Sequence, residues 1–387
     1  MEHPRALLDA ARRAQPEAIH RLSLLVAAES ATGSVPHLER CADLLTEWGQ
    51  QTLHRRAQRV VIDGMPHLLW PAAHQRVLLL GHFDTVFPPD TIRARPFTIS
   101  GSVATGPGVC DMKAGIVQMF TALSMLEDTS SVGILLTSDE ESGSVTSREL
   151  IEQQARRSGA VLVCEAATPD GDVKVARKGG SVYHLTVKGR AAHAGAEPHR
   201  GVNATVEVAH HVLALRQLDA AGSGGTSVTP TVLAAGTTTN TVPERASVAI
   251  DVRAWTGAEL ERIDRVIRAL APVLPEATLT CDGGINRYPM SPELAQPLLA
   301  VAQSIAAQLG IGTLTGARVA GASDGNFTAA LGVPTLDGLG AVGGGAHSPN
   351  EYVELDRMPE RAALLAGIIH RLSTKDLARG SLSSPSR

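Results

Sequence analysis

Three short runs of apolar residues constrain this fold most, because a stretch without polar alternation has to be covered on both faces. VLLL at 77–80, VGILLT at 132–137 and AVLV at 160–163 read as strands of a parallel sheet packed between helices. The residues just beyond each run matter as much. Gly81, His82, Phe83 and Asp84 come after the first, SDEESGS with Glu140 and Glu141 after the second, and Glu165 closes the third. Ligands in such sheets collect outside the carboxyl ends of the strands, so an imidazole and several carboxylates reach one edge. His82 and Asp84 share a side, being two residues apart in an extended segment. A carboxylate beside an imidazole selects which ring nitrogen faces a metal. Taken alone, that pair also reads as a strand-end histidine hydrogen-bonded to a turn.

At 387 residues the chain exceeds one ordinary core and suits two domains. A net charge of -4 and 3% aromatic residues leave neither a basic footprint nor stacking platforms for nucleic acid. Cys41, Cys110, Cys164 and Cys281 form no CxxC pair, and the N-terminal stretch is too charged for a secretory signal. Both point to reduced thiols in a cytoplasmic protein. No apolar run approaches the ~20 residues of a membrane span, so no membrane partner is expected.

Helical spacing covers 4–28 and 36–48, and GPGVCDMKAG leads into a helix from about Lys113 to Leu126. Asp111 therefore stands at a loop-to-helix junction, where an N-cap is the plain alternative. From Gly179 the pattern changes to strand SVYHLTVKG, helix NATVEVAHHVLALRQL, strands PTVLAAG and SVAIDVRAW, and helix GAELERIDRVIRALAPVL, with GSGG at 222–225 as a loop. That order resembles a split βαβ sandwich inserted into the larger domain. A helix at 295–309, a strand-like PTLDGL and a helix at 359–372 return to the first domain. The expected class is α/β, a mixed, mostly parallel sheet flanked by helices over 1–178 and 290–375. An α+β ferredoxin-like domain is expected over 179–289 and a disordered tail over 376–387.

Collected, the candidate site residues are His82, Asp111, Glu141, Glu165 and His347, with Glu140 beside them. Two imidazoles and three carboxylates form the ligand set of a pair of zinc ions with one carboxylate bridging. Two dications against three carboxylates leave one positive charge, which a shared hydroxide would neutralise. The metals would acidify that water and polarise a substrate carbonyl. Glu140 is then placed to take the water's proton and pass it to a leaving amine.

In order, HFDTV, GPGVCDMKAG, SDEESGS, the Glu after VLVC, GRAAHAG and GGGAHSPNEYV resemble the motifs of the di-zinc exopeptidases. That family includes carboxypeptidase G, aminoacylase and succinyl-diaminopimelate desuccinylase. The resemblance spans about 20–373 and is nearest the carboxypeptidase G branch, through Glu165 and GPG before Asp111. It implies the zinc exopeptidase fold, in which the inserted domain serves as lid and dimerisation surface. It implies that His82 and Glu165 hold one zinc, Glu141 and His347 the other, and that Asp111 bridges, with cobalt or manganese as possible substitutes. By the same resemblance Asp84 orients His82, Glu140 is the general base, the bond after Asp111 is cis, and His193 reaches the substrate carbonyl of a neighbouring subunit in a homodimer. Asn240 and Arg253 match positions that bind substrate or its carboxylate, with Arg287 a further candidate. Arg253 shares a strand face with Asp251, so a surface ion pair is the alternative there.

The resulting expectation is a metal-dependent carboxypeptidase-like hydrolase acting on small N-acyl amino acids or short peptides. It releases a C-terminal amino acid, glutamate first. The alternatives are an N-acyl amino acid deacylase of aminoacylase type and a binding protein without chemistry. Retention of Glu140 beside Glu141 speaks against the last.

Overall fold

The structure, a computed structural model, describes residues 4–221 and 224–374. The tail expected at 376–387 and residues 222–223 of the GSGG loop lie outside the described residues. Two compact units emerge, one of 4–176, 291–319 and 323–374, the other of 177–290 with 320–322.

In the first unit a six-stranded sheet runs in the order Gln58–Ile62, Met65–Trp70, Val132–Thr137, Val77–His82, Ala160–Val163, Thr335–Leu336. Met65–Trp70 pairs antiparallel with both neighbours and the remaining pairings are parallel. The sheet is therefore mixed and mostly parallel, in agreement with the sequence-based expectation. Every residue of Val77–His82, Val132–Thr137 and Ala160–Val163 is buried, which explains why those runs show no polar alternation. Leu78, Leu80, Leu135, Val161 and Val163 pack with Ile151 and Phe327, and burial of each such side chain contributes about 1.5–3 kcal/mol. Helices Ala114–Ser124 and Met358–Thr374 pack against Val77–His82 and against each other. The first approaches so closely that a Cβ on Gly115 would lie 2.1 Å from the carbonyl oxygen of Cys164. Glycine there lets the helix after Asp111 meet the strand end that delivers Glu165.

The hairpin Gln58–Ile62 and Met65–Trp70 was not assigned from the sequence. Its two-residue turn, Asp63 and Gly64, has positive φ at both positions, the geometry that matches strand twist in short hairpins.

The second unit is a four-stranded antiparallel sheet in the order Ser227–Ala235, Arg245–Ala254, Gly179–Lys188, Thr278–Arg287, with helices Ala204–Ala221 and Gly257–Arg268. Its core joins Tyr183, Leu185, Val187, Val248, Ile250 and Val252 to Leu260, Ile263 and Ile267. Burial alternates along Gly179–Lys188, as a sheet with one covered face requires. Thr278–Arg287 is the strand that sequence reading missed. Gly283 and Gly284 interrupt its alternation and most of it is only partly covered. With it the unit completes the split βαβ arrangement. Among the described residues no helix is long and apolar enough to cross a membrane.

Candidate metal centre

Strand register brings the site residues to one edge. His82 stands opposite Thr137, and Leu80 opposite Val163, both in parallel pairing. His82 therefore lies two residues past Leu80, just as Glu165 lies two past Val163, while Glu140 and Glu141 occupy the turn after Thr137.

Asp84 ties two of these elements together. The His82 Nδ1 sits 3.1 Å from the Asp84 carbonyl oxygen and 3.4 Å from its carboxylate. The same carboxylate accepts the backbone N–H groups of Glu140 and Glu141, each at 3.2 Å, and the Thr32 hydroxyl at 2.8 Å. One fully buried aspartate thus turns the imidazole and fixes the glutamate turn.

The opposite ring nitrogen, His82 Nε2, lies 3.3 Å from Asp111 Oδ1 and 3.3 Å from Glu165 Oε1. His347 Nε2 lies 3.4 Å from Asp111 Oδ2 and 3.0 Å from Glu141 Oε2. Two donor groups capable of holding a metal ion result, His82 with Asp111 and Glu165, and Asp111 with Glu141 and His347. They share Asp111, one carboxylate oxygen to each. The His82 side chain is 2% exposed and that of His347 is 53% exposed, so the centre is closed at one end and accessible at the other. His347 has a φ of 62°, a conformation uncommon outside glycine, and the bond between Asp111 and Met112 is cis.

The donor atoms fit a cation. Apart from the ionic contacts of His82 Nε2 just given, His82 Nε2, Asp111 Oδ1 and Glu141 Oε1 are buried without a hydrogen-bond partner among the described residues, a costly condition for polar atoms unless something else satisfies them. Burial favours neutral His82, yet adjacent Asp111, Asp84 and Glu165 outweigh it and raise its pKa well above the ordinary value. Asp111 and Glu141 push His347 up to about 10. Against the effect of burial, His347 and His82 hold Asp111 well below the usual carboxylate range. Burial raises Glu141. Without metal both imidazoles therefore hold a second proton near pH 7, and ligation must displace those protons. Uptake of a divalent metal ion near pH 7, probed with zinc, is expected to release protons and to tighten as pH rises. Calorimetry in buffers of different ionisation enthalpy measures the release, and a heat independent of buffer would contradict it.

The remaining expected site residues are distributed over both units. Glu140 is buried in the Glu140–Ser142 turn. His193, in the second unit, is exposed, and its Nδ1 accepts N–H bonds from Gly195 at 3.1 Å and Ala196 at 3.0 Å. The proton of the neutral ring is therefore on Nε2. Asn240 lies beside it, its carbonyl accepting the N–H of Ala194 at 2.9 Å. Arg253 grips Asp251 in a two-bond ion pair, with Nε 3.0 Å from Oδ1 and Nη2 2.8 Å from Oδ2. Arg287 is buried, with Nη1 3.3 Å from Asn286 Oδ1. Cys110 and Cys164 are free and buried, and burial raises both thiols far above their usual range. Sequence reading assigned no role to Glu351, which is 1% exposed and accepts three N–H bonds from the loop carrying Asp111. Its position four residues after His347 was the available signal.

The sequence pattern of peptidase family M20/M25/M40 matches residues 78–371. The chain belongs to this family. Over 383 residues it is 30% identical to carboxypeptidase G2 of Pseudomonas sp. (strain RS-16), covering 94% of this chain and 91% of the relative. It is 28% identical to the succinyl-diaminopimelate desuccinylase of Paracoccus denitrificans, covering 81% and 88%. A solved structure from Bacillus subtilis, the YXEP protein described as a dinuclear metal binding peptidase of the M20 family, shares the fold. Its TM-score is 0.66 at 13% identity, covering 94% of this chain and all of the other. This M20 protein is accordingly an enzyme, a metallopeptidase or amidohydrolase.

Proposed function

We propose that this M20 enzyme holds two zinc ions and hydrolyses the amide bond of N-acyl or peptidyl amino acids next to a free carboxylate. The released C-terminal amino acid is glutamate by first choice. The observation behind this reading is the sharing of Asp111 between two donor groups, each completed by one histidine and one glutamate. His82 and Glu165 hold one ion, and His347 and Glu141 the other. Ions bound there would supply Lewis acidity toward the scissile carbonyl and toward an attacking water.

The rest of the chemistry belongs to the chain. Glu140, adjacent to Glu141 and anchored through its N–H by Asp84, takes the proton of the attacking water and returns it to the departing amine. His193, with its proton on Nε2, donates to the substrate carbonyl oxygen and is supplied by the partner in a homodimer. In support of dimerisation, the edge strand Ser227–Ala235 exposes Val232 and Leu233. Asn240, Arg253 and Arg287 bind the substrate carboxylate, for which planar guanidinium groups are suited. Arg253 does so by exchanging Asp251 for substrate. The cytoplasm, where the free thiols stay reduced, is the proposed compartment.

A substrate panel tests this reading. The zinc-loaded protein is given one acyl group joined to glutamate, aspartate, alanine, methionine and phenylalanine, and release of each amino acid is measured. Preferential release of glutamate is expected. Preference for apolar amino acids would replace the carboxypeptidase reading with that of an N-acyl amino acid deacylase. No release from any member, with metals bound, would contradict both.

A further inference from the structure

The two sides of the centre are joined by a residue that belongs to neither donor group. Residues 343–354 form a hairpin-like excursion, in which Gly343–Gly344 pairs antiparallel with Tyr352–Glu354. Tyr352–Glu354 pairs in turn with Val103–Thr105, with Tyr352 opposite Thr105 and Val353 opposite Ala104. Val103–Thr105 leads directly into the loop that delivers Asp111. One excursion therefore carries His347 at its tip and sets Glu351 against the base of the Asp111 loop.

That loop satisfies part of its backbone itself, the N–H of Val109 bonding to the Gly106 carbonyl and that of Lys113 to the Gly108 carbonyl, but the N–H groups of Gly108, Cys110 and Asp111 turn outward from it. Gly108 has a φ of 70°, and a Cβ there would lie 2.5 Å from Thr85 Cγ2, so only glycine turns the chain at this point. Asp111 and Met112 have non-helical backbone angles, and the helix begins only at Ala114. The N–H groups of Gly108, Cys110 and Asp111 thus precede the helix, where intrahelical acceptors do not exist. Glu351 takes all three. Its Oε2 accepts from Gly108 at 2.9 Å, and its Oε1 accepts from Cys110 at 2.8 Å and Asp111 at 2.9 Å. An acceptor with two oxygens, each with two lone pairs, is the side chain best able to gather three converging donors.

We propose that Glu351 is a positioning residue for metal binding: by clamping the backbone on either side of Cys110 it sets the direction of the Asp111 carboxylate, and so the affinity of both ion sites. This inference rests on the two-ion reading of Asp111. Because Asp111 gives one oxygen to each donor group, a small rotation of its carboxylate moves a ligand atom in both sites together. Asp84 fixes the Glu140–Glu141 turn in the same manner. The Asp111 loop and the glutamate turn are thus each held by a buried carboxylate that is not itself in a donor group.

The test is Glu351→Gln, measured by zinc affinity against a competing chelator and by the visible spectrum of the cobalt-loaded protein. Glutamine keeps the size of the side chain, but its amide nitrogen would face the Gly108 N–H as a second donor. Loss of an outer partner of a metal ligand typically costs ~10–100-fold in affinity. Expected is a folded variant, with the unfolding midpoint of the metal-free protein near that of wild type, zinc binding weakened to that extent in both sites, and an altered cobalt spectrum. Wild-type affinity and spectrum would overturn the proposal. Should glutamine prevent folding, Glu351→Asp, which withdraws the carboxylate by one methylene, is measured identically, and wild-type zinc binding in it would overturn the proposal too. Asp111→Asn separates the two levels of inference. A wild-type chain that binds no pair of ions, or an Asp111→Asn variant that binds them normally, removes the two-ion reading itself. Loss with Asp111→Asn but not with Glu351→Gln removes only the role of Glu351.

Discussion

Glu140→Gln is expected to lower kcat by ~10²–10⁴, the usual contribution of a positioned general base, while zinc content is unchanged. At about 1.36 kcal/mol per decade this raises the barrier by roughly 2.7–5.5 kcal/mol. The separation of activity from metal binding comes from the geometry. Glu140 is absent from both donor groups, whereas its neighbour Glu141 lies 3.0 Å from His347 Nε2. Its backbone is held by Asp84 through an N–H bond that glutamine retains, so the turn is preserved while the side chain loses its negative charge and its capacity to accept a proton. Steady-state kinetics beside a metal assay read both quantities. Unchanged kcat would remove Glu140 from proton transfer, and a parallel loss of zinc would make it a ligand.

Asp111→Asn is expected to be the most damaging change to metal binding. Its loss should exceed the ~10–100-fold typical of an outer partner of a ligand. Asparagine has the same shape but one acceptor oxygen and one donor nitrogen, so it serves one donor group and presents N–H to the other. Glu165→Gln or His347→Ala should affect chiefly one ion, since each belongs to one group only. Dialysis against buffered free zinc and then metal analysis distinguishes the two patterns. An Asp111→Asn chain holding both ions at wild-type affinity would show that the carboxylate does not bridge.

The parts of the site legible in the sequence were those tied to fully buried strands. VLLL, VGILLT and AVLV have to lie inside a covered sheet, and parallel register then delivers His82, Glu140, Glu141 and Glu165 to one edge whatever the loops do. Asp111 and His347 come from glycine-rich loops whose paths no periodicity encodes, and ordered motif resemblance located them. The hairpin at 58–70 had a readable signal in its Asp-Gly turn. Thr278–Arg287 had a weak one, because its two glycines break the alternation. The position of Glu351, four residues after His347, was readable, but its role was not. Its role depends on three backbone N–H groups more than 200 residues away in sequence, with separations of 240, 241 and 243, and backbone donors have no residue type to recognise. Arg253 shows the converse limit, since motif resemblance placed it beside a substrate while strand spacing offered Asp251, and the ion pair with Asp251 is what forms in the free chain.

The most direct measurement is to titrate the metal-free wild-type chain with zinc while monitoring hydrolysis of the best substrate in the panel. Turnover is expected to rise until two equivalents are bound per chain, one for each donor group around Asp111. Full activity at a single equivalent, or turnover that needs no metal, would contradict the paired centre.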